Sequence, residues 1–268
     1  MFNSSRRRAI RLAEERPVVV MGRGHSGTRV LAWALQKLGI RMGATEDVPT
    51  GDVQDLRFSR AIKRICRGSL HLPSTVAAEH RRLKYFHRSL DRYLHWLGHT
   101  RDAWGWKFPE TYLIPNYVAA TFPQARYIHM LRDGRDVAFK HHLTDDPRRP
   151  LGRMLLAHIG AMNLPHHVQA AMSWDFQVCR FEEFVQLARP AMCTITFEAL
   201  CREPIATMQT VCRFLGRELT PACRDYLQTQ VRPEKIAQYR AETAVQLAEI
   251  ETVIAPTLAR LGYRKQAA

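Results

Sequence analysis

The sequence predicts an α/β fold, a parallel sheet flanked by helices and carrying one helical insertion. Three observations support this. Short apolar runs alternate with long helical patterns, the first run ends in a glycine-rich turn that opens a helix, and the second ends in clustered charge. Residues 17–22, PVVVMG, give the first strand, because four apolar residues follow a proline and stop at a glycine. Over 28–38, apolar side chains at Val30, Leu31, Ala34, Leu35 and Leu38 fall at helical spacing, and Gly39 supplies the stop. The loop GRGHSG thus sits between a strand and a helix N-terminus. Residues 41–103 are polar and rich in His and Arg, with helical stretches near 56–66 and 76–97, and are expected to lie over the sheet edge. Residues 112–121 read as helix, and 126–131, RYIHML, as a second strand running into RDGRD. Residues 137–189 are mainly helical, 192–197 (MCTITF) is a strand enriched in β-branched residues, and 203–215 is an amphipathic helix ending at Gly216. With no internal repeat or low-complexity segment, residues 1–268 are expected to form one domain with 41–103 as its insertion.

Forty Lys and Arg against 25 Asp and Glu leave a formal charge of +15, which calls for an anionic partner: a nucleotide, nucleic acid, acidic glycan or lipid headgroup. Six cysteines (Cys66, Cys179, Cys193, Cys201, Cys212, Cys223) contain no C-x-x-C pair, so neither a zinc site nor a disulfide scaffold is indicated, and reduced thiols in a cytoplasm are expected. The basic start, with Arg6, Arg7 and Arg8, is followed by Glu14, Glu15 and an apolar run too short for a signal peptide or a membrane span. It leaves room for peripheral contact with an anionic membrane. The adjacent pairs His141-His142 and His166-His167 suggest a metal, but neighbouring residues on a helix point about 100° apart, so neither pair chelates by itself and no metal is expected.

The glycine loop has three readings. Its glycines match G-x-G-x-x-G, and Asp47 lies where a dinucleotide fold places its ribose contact, which would make the chain an NAD(P)- or FAD-binding oxidoreductase. Against this, Ile40 to Asp47 reads IRMGATED, not an apolar strand. The loop also approaches G-x-x-x-x-G-K-[ST], but Thr28 fills the lysine slot and Arg29 the hydroxyl slot, leaving the Mg²⁺ hydroxyl unaccounted for and arguing against an ATP or GTP hydrolase. In the third reading Ser26, Gly27 and Thr28 bind a terminal phosphate without metal while a nearby cation neutralises it. A basic nucleic-acid-binding protein is the rival that charge alone supports.

Four segments, in order, resemble the PAPS-dependent sulfotransferase family: GHSGTR at 24–29, like its 5′-phosphosulfate loop; WGWKFPET at 104–111; YIHMLRDGRDVAFK at 127–140, like its 3′-phosphate segment; and TITFEALCREPIATMQTVCRFLG at 194–216. The resemblance implies a three-layer, P-loop-like nucleotide-binding topology. It also implies transfer of a sulfuryl group from 3′-phosphoadenosine-5′-phosphosulfate (PAPS) to a hydroxyl or amine of a carbohydrate, glycolipid or other small acceptor. The sequence departs from the family in placing His25 where many members have Lys or Arg, and Lys140 where many have Ser.

The roles implied put Arg23, Gly24, His25, Ser26, Gly27, Thr28 and Arg29 around the 5′ end, with His25 and Ser26 on the departing phosphate. Arg132, at the carboxyl end of a strand, and Lys140 would hold the 3′-phosphate. At least one Asp–Arg pair in RDGRD is expected to be structural, which makes Arg135 the lesser ligand. Lys107 would face the transferring sulfuryl group, and a base would come from Asp55 or, next, Glu46. The acceptor is expected against residues 41–103.

Overall fold

The computed structural model describes residues 12–43, 56–70, 74–98 and 103–264. Four strands lie parallel in the order β2-β1-β3-β4: β1 (Val18–Met21), β2 (Gly105–Trp106), β3 (Arg126–Leu131) and β4 (Ala191–Thr196). Side chains alternate across a strand, so each one feeds two cores. Val19, Met21, Tyr127 and Leu131 join one apolar cluster, while Val18, Val20, Ile128, Met130, Cys193 and Ile195 join the other. Helices cover both faces, giving three layers.

On the second face lie α1 (Thr28–Lys37), α8 (Phe197–Arg202), α9 (Pro204–Leu215) and α10 (Pro221–Gln230). On the first lie α2 (Leu56–Ser69), α3 (Val76–Trp96), α4 (Pro115–Thr121), α5 (Gly134–Ala138), α6 (Pro150–His158), α7 (His166–Ala188) and α11 (Ala244–Arg260). Helix α2 shows why the helical stretches near the sheet edge fold as they do. Phe58, Ile62, Ile65 and Cys66 fall at helical spacing and are buried, and Phe58 stacks on Tyr93 of α3 at 4.7 Å and meets Trp106 edge-on at 5.8 Å. Burying each such ring stabilises the fold by about 1.5–3 kcal/mol, so the apolar face of α2 is committed to the core.

The predicted strands match to within a residue at each end, apart from β2, whose two residues are too short for any periodicity to reveal. The segment 137–189 is mainly helical, as expected, with turns from Phe139 to Arg149 between α5 and α6, and Pro150 opens α6. No strand forms over Ile40–Gly43; Arg41 makes one isolated bridge to Trp104, and the ribose-binding strand of the dinucleotide reading is missing from these residues. Glu46, Asp47, Asp52 and Asp55 lie outside the described residues, as do Arg6, Arg7 and Arg8. No described helix is long and apolar enough to cross a membrane, and all six cysteines are free.

Candidate active site

Parallel strands bring the loop after β1, Lys107 after β2 and Arg132 after β3 to one edge of the sheet, where open α/β folds bind ligands. Within the loop, His25 and Gly27 take left-handed φ values of 69° and 85°. Glycine does this without strain, and histidine is among the residues that tolerate it best. A Cβ on Gly27 would also lie 2.6 Å from the Phe197 ring, and one on Gly24 2.3 Å from Cδ2 of His142. The chain therefore passes where no side chain fits. Gly27 caps α1 without a side-chain bond, and no acid occupies the first turn. That leaves the N–H groups and positive dipole end of α1 directed at an anion, with Ser26 and Thr28 buried beside them.

The cations of the loop divide. Arg29 is exposed at the start of α1. Arg23 points inward instead of toward the 5′ end as expected: it is 1% exposed, its Nη2 donates to Asp145 Oδ1 at 2.5 Å, and its Nη1 donates to the Gly24 carbonyl at 2.9 Å. It braces the loop from beneath. His25 donates from Nε2 to the His141 carbonyl at 2.8 Å. Burial lowers its pKa, and Arg23 and Lys140 push the same way against the bond to His141 and the charge of Asp145. An incoming phosphate would act in the opposite sense, favouring the protonated ring.

Arg132 joins both motifs. Its Nη1 donates to the His25 carbonyl at 2.9 Å, its Nη2 to Asp136 Oδ2 at 3.1 Å and to the Lys235 carbonyl at 2.7 Å, and its guanidinium lies 4.1 Å over the Phe197 ring. Both Asp–Arg pairs of RDGRD are ion pairs, the second being Arg135 with Asp133 at 2.7 Å. Arg135 also reaches Glu251 and the Tyr263 carbonyl and covers Tyr239; against its burial, the bond and charge of Asp133, with Tyr239 and Glu251, raise its pKa, and it is fixed as a structural clasp. Lys140 donates to Gln238 at 3.1 Å, and Asp136 accepts from the Ala237 and Tyr239 N–H groups, so residues 235–239 lie across this part of the site. Lys107 is 4% exposed at the end of β2.

Sequence reasoning missed His142. The turn His142–Asp145, closed by Asp145 N–H to the His142 carbonyl at 3.1 Å, sets its ring against Gly24 and 6.0 Å from that of His25. Burial holds its pKa well below 6.5, and Arg23, His25, Lys63 and Lys107 reinforce the effect. His141 instead lies against His166, ring centroids 4.1 Å apart and tilted by 32°, and His167 bonds to Glu249. Adjacent histidines thus part company, although His141 and His142 do so in a turn, not on a helix. The signal available in the sequence was the H-x-T-D run, which is turn-forming and offers a hydroxyl and a carboxylate to the first residue.

Beside His142, its neighbour Leu143 and Lys63 line a groove of about 660 Å³ with Arg60, Arg64, Arg67 and Arg149. A second groove of about 600 Å³ shares Arg64 and Tyr85 with it. Among the described residues no acidic side chain lines either groove.

Comparison with known proteins agrees with this geometry. The model of the sulfotransferase family matches residues 17–221. Among solved structures, a sulfotransferase from Mycobacterium avium superposes with a TM-score of 0.54 at 15% identity, covering 97% of this chain and 80% of its own. A sulfotransferase domain from the curacin biosynthetic pathway gives 0.54 at 11% identity, over 90% and 97%. A mouse sulfotransferase complexed with PAP gives 0.50 at 13% identity, over 92% and 85%. At these identities the likeness is one of fold. No curated protein matches in sequence.

Proposed function

The chain belongs to the sulfotransferase family, and we propose that it moves a sulfuryl group from PAPS to a hydroxyl or amine of a carbohydrate, glycolipid or other small acceptor. The observation that carries this reading is the 2.9 Å bond from Arg132 to the His25 carbonyl, which joins the two phosphate-binding motifs at the strand ends. A nucleotide with phosphate at both ends needs two anion sites so placed, and the PAP held by the mouse neighbour is such a nucleotide. In this reading the α1 N-terminus, Ser26, Thr28 and Arg29 hold the 5′-phosphate, and His25 donates to it as it leaves. Arg132 and Lys140 take the 3′-phosphate in exchange for carbonyl and amide partners. Lys107 offsets charge on the transferring group, and positioning with charge stabilisation supplies most of the catalysis. The acceptor enters by the groove along α2, whose lining favours an acceptor already bearing negative charge. Six free cysteines suit a reducing cytoplasm.

Calorimetric titration with PAP, beside NADH and Mg²⁺-ATP, tests the reading. PAP alone should bind, and Lys140→Ala and Arg132→Ala should each weaken it, the latter by about 10–100-fold for a lost charged hydrogen bond, with thermal melts confirming that both variants fold. No binding of PAP, or preference for NADH, overturns it.

A further inference from the structure

The two basic grooves adjoin, and we propose that they form one trough for a linear polyanion: an acidic glycan carrying carboxylate or sulfate on successive sugars. Its reacting sugar lies toward the strand ends and its flanking sugars run along α2 and α3. The inference rests on the sulfotransferase reading above and narrows its acceptor. Helical spacing sets the cations in rows. Arg60, Lys63, Arg64 and Arg67 fall on one face of α2, away from the buried Phe58, Ile62 and Ile65. On α3, Arg81, Lys84 and Arg88 fall opposite the buried Phe86, Leu90 and Tyr93. Phe58 meets Tyr93, the Arg64 guanidinium lies 5.1 Å over the Tyr85 ring, and Arg82 packs against Gly68. Rising numbers thus pair with falling ones, so the helices are antiparallel neighbours. Each row covers about 10 Å, with a cation at every turn.

Arg64 and Tyr85 line both grooves, so the rows meet there. Volumes of about 660 and 600 Å³ are each enough for one small ligand, and two end to end accommodate a chain. Arg60, Arg64, Arg81, Lys84 and Arg88 are exposed, and among the described residues none of them forms an ion pair. One groove borders the site. Its Lys63 lies 3.8 Å from Glu110, which follows Lys107 closely in sequence, and its Leu143 follows His141, whose carbonyl holds His25. The other groove shares neither Lys63 nor Leu143, so its cations serve parts of the acceptor that do not react. A small anion needs only the first groove; the second calls for a molecule that continues.

Side-chain chemistry favours a glycan over other polyanions. Guanidinium groups grip carboxylates and sulfates through paired hydrogen bonds, and sugars supply the hydroxyl that transfer requires. Single-stranded nucleic acid is held by stacking bases on aromatic rings, yet Tyr85 is the one aromatic in the described lining and Arg64 covers its ring. A bilayer is gripped by apolar side chains that enter it, whereas Ile65, Leu143 and Leu151 of the lining are buried or half-buried.

The test titrates the full chain, with and without PAP, with oligomannuronates and heparin fragments of two, four and eight sugars. For at least one series, affinity should rise about tenfold or more from the disaccharide to the octasaccharide, and octasaccharide binding should fall steeply with salt. Arg81→Ala with Arg88→Ala should weaken the octasaccharide by about 3–20-fold, while disaccharide and PAP affinities stay within about twofold and thermal melts confirm folding. Affinity independent of length in both series overturns the inference, as does a double variant that binds the octasaccharide like the parent. Tighter binding of phosphatidylserine vesicles or of polythymidylate through the same two arginines overturns it in favour of a membrane or a nucleic acid. Loss of PAP binding by the parent, with octasaccharide binding intact, strikes instead at the sulfotransferase reading beneath.

Discussion

Positive charge is organised differently at the strand ends and along the groove. At the strand ends the arginines meet carboxylates inside the protein: Arg23 with Asp145, Arg132 with Asp136, Arg135 with Asp133 and Glu251. Along α2 and α3 the cations lie nearer the surface and line two grooves, where those that meet acids do so mostly at the surface: Arg82 with Glu79 at 2.6 Å, Lys63 with Glu110 and Arg149 with Asp146 both at 3.8 Å. The difference teaches that the +15 of the chain is poorly assigned to the nucleotide site, where arginine mostly serves architecture. The more exposed cations line the grooves, where the acceptor would enter. A buried pair and a solvated lysine or arginine count equally in a composition, yet one fixes geometry and the other sets what is attracted.

The sharpest way to break the contrast is to remove one partner from each region. Asp145→Ala leaves Arg23 charged and buried, and should cost about 3–5 kcal/mol of stability in urea or guanidinium titrations. Arg64→Ala in the groove should stay within about 0.5 kcal/mol of the parent. Equal losses would mean that the groove cations also brace the fold.

Acid sharpens it next. His129, buried in β3 with Nε2 2.7 Å from the Tyr112 hydroxyl, has its pKa lowered to about 3 by burial. The unfolded chain takes up this proton below about pH 6.5 and the folded protein does not, so stability present above that pH is lost as pH falls toward 3. The slope is about 1.4 kcal/mol per pH unit for one such group, or about 2 kcal/mol between pH 6.5 and 5, and His142 acts in the same direction. Denaturant titrations at pH 7, 6 and 5 should show this fall, shallower by one proton in His129→Gln.

A third change tests the turn that carries His142. Gly152 of α6 packs under it so closely that a Cβ would stand 2.3 Å from the Asp146 carbonyl oxygen and 2.5 Å from that of Leu143. Gly152→Ala should cost about 1–3 kcal/mol and lower PAPS turnover more than PAP affinity, since it shifts the turn and spares the phosphate loop. The smallest effect on stability is expected for Arg64→Glu with Arg67→Glu. Unfolding should move by about 0.5 kcal/mol or less per site, while binding of an anionic acceptor weakens and loses its salt dependence, and PAP binding stays unchanged.

Much of the strand-end region was legible because its signals are local. PVVVMG and RYIHML announce buried strands, and the glycines between Gly22 and Gly27 announce a turn that side chains would block. What local signals hide is which partner a charged residue takes. Arg23 reads as a phosphate ligand until Asp145, 122 positions later, claims it. His142 reads as half of a histidine pair until a turn places it against Gly24. The grooves were legible only as basic helices, since their walls join α2 and α3 with a turn that begins after β3. The base implied by the family resemblance, Asp55 or Glu46, falls outside the described residues.

The clasp over RDGRD also bears on biosynthesis. Asp136 is held by the amides of Ala237 and Tyr239, Arg132 by the carbonyl of Lys235, and Arg135 by Glu251 and the carbonyl of Tyr263. Every one of those partners is translated about a hundred residues or more after the motif it secures. A nascent chain that already contains both phosphate-binding motifs therefore lacks part of the clasp, and the site is completed only once residues 235–263 have been synthesised.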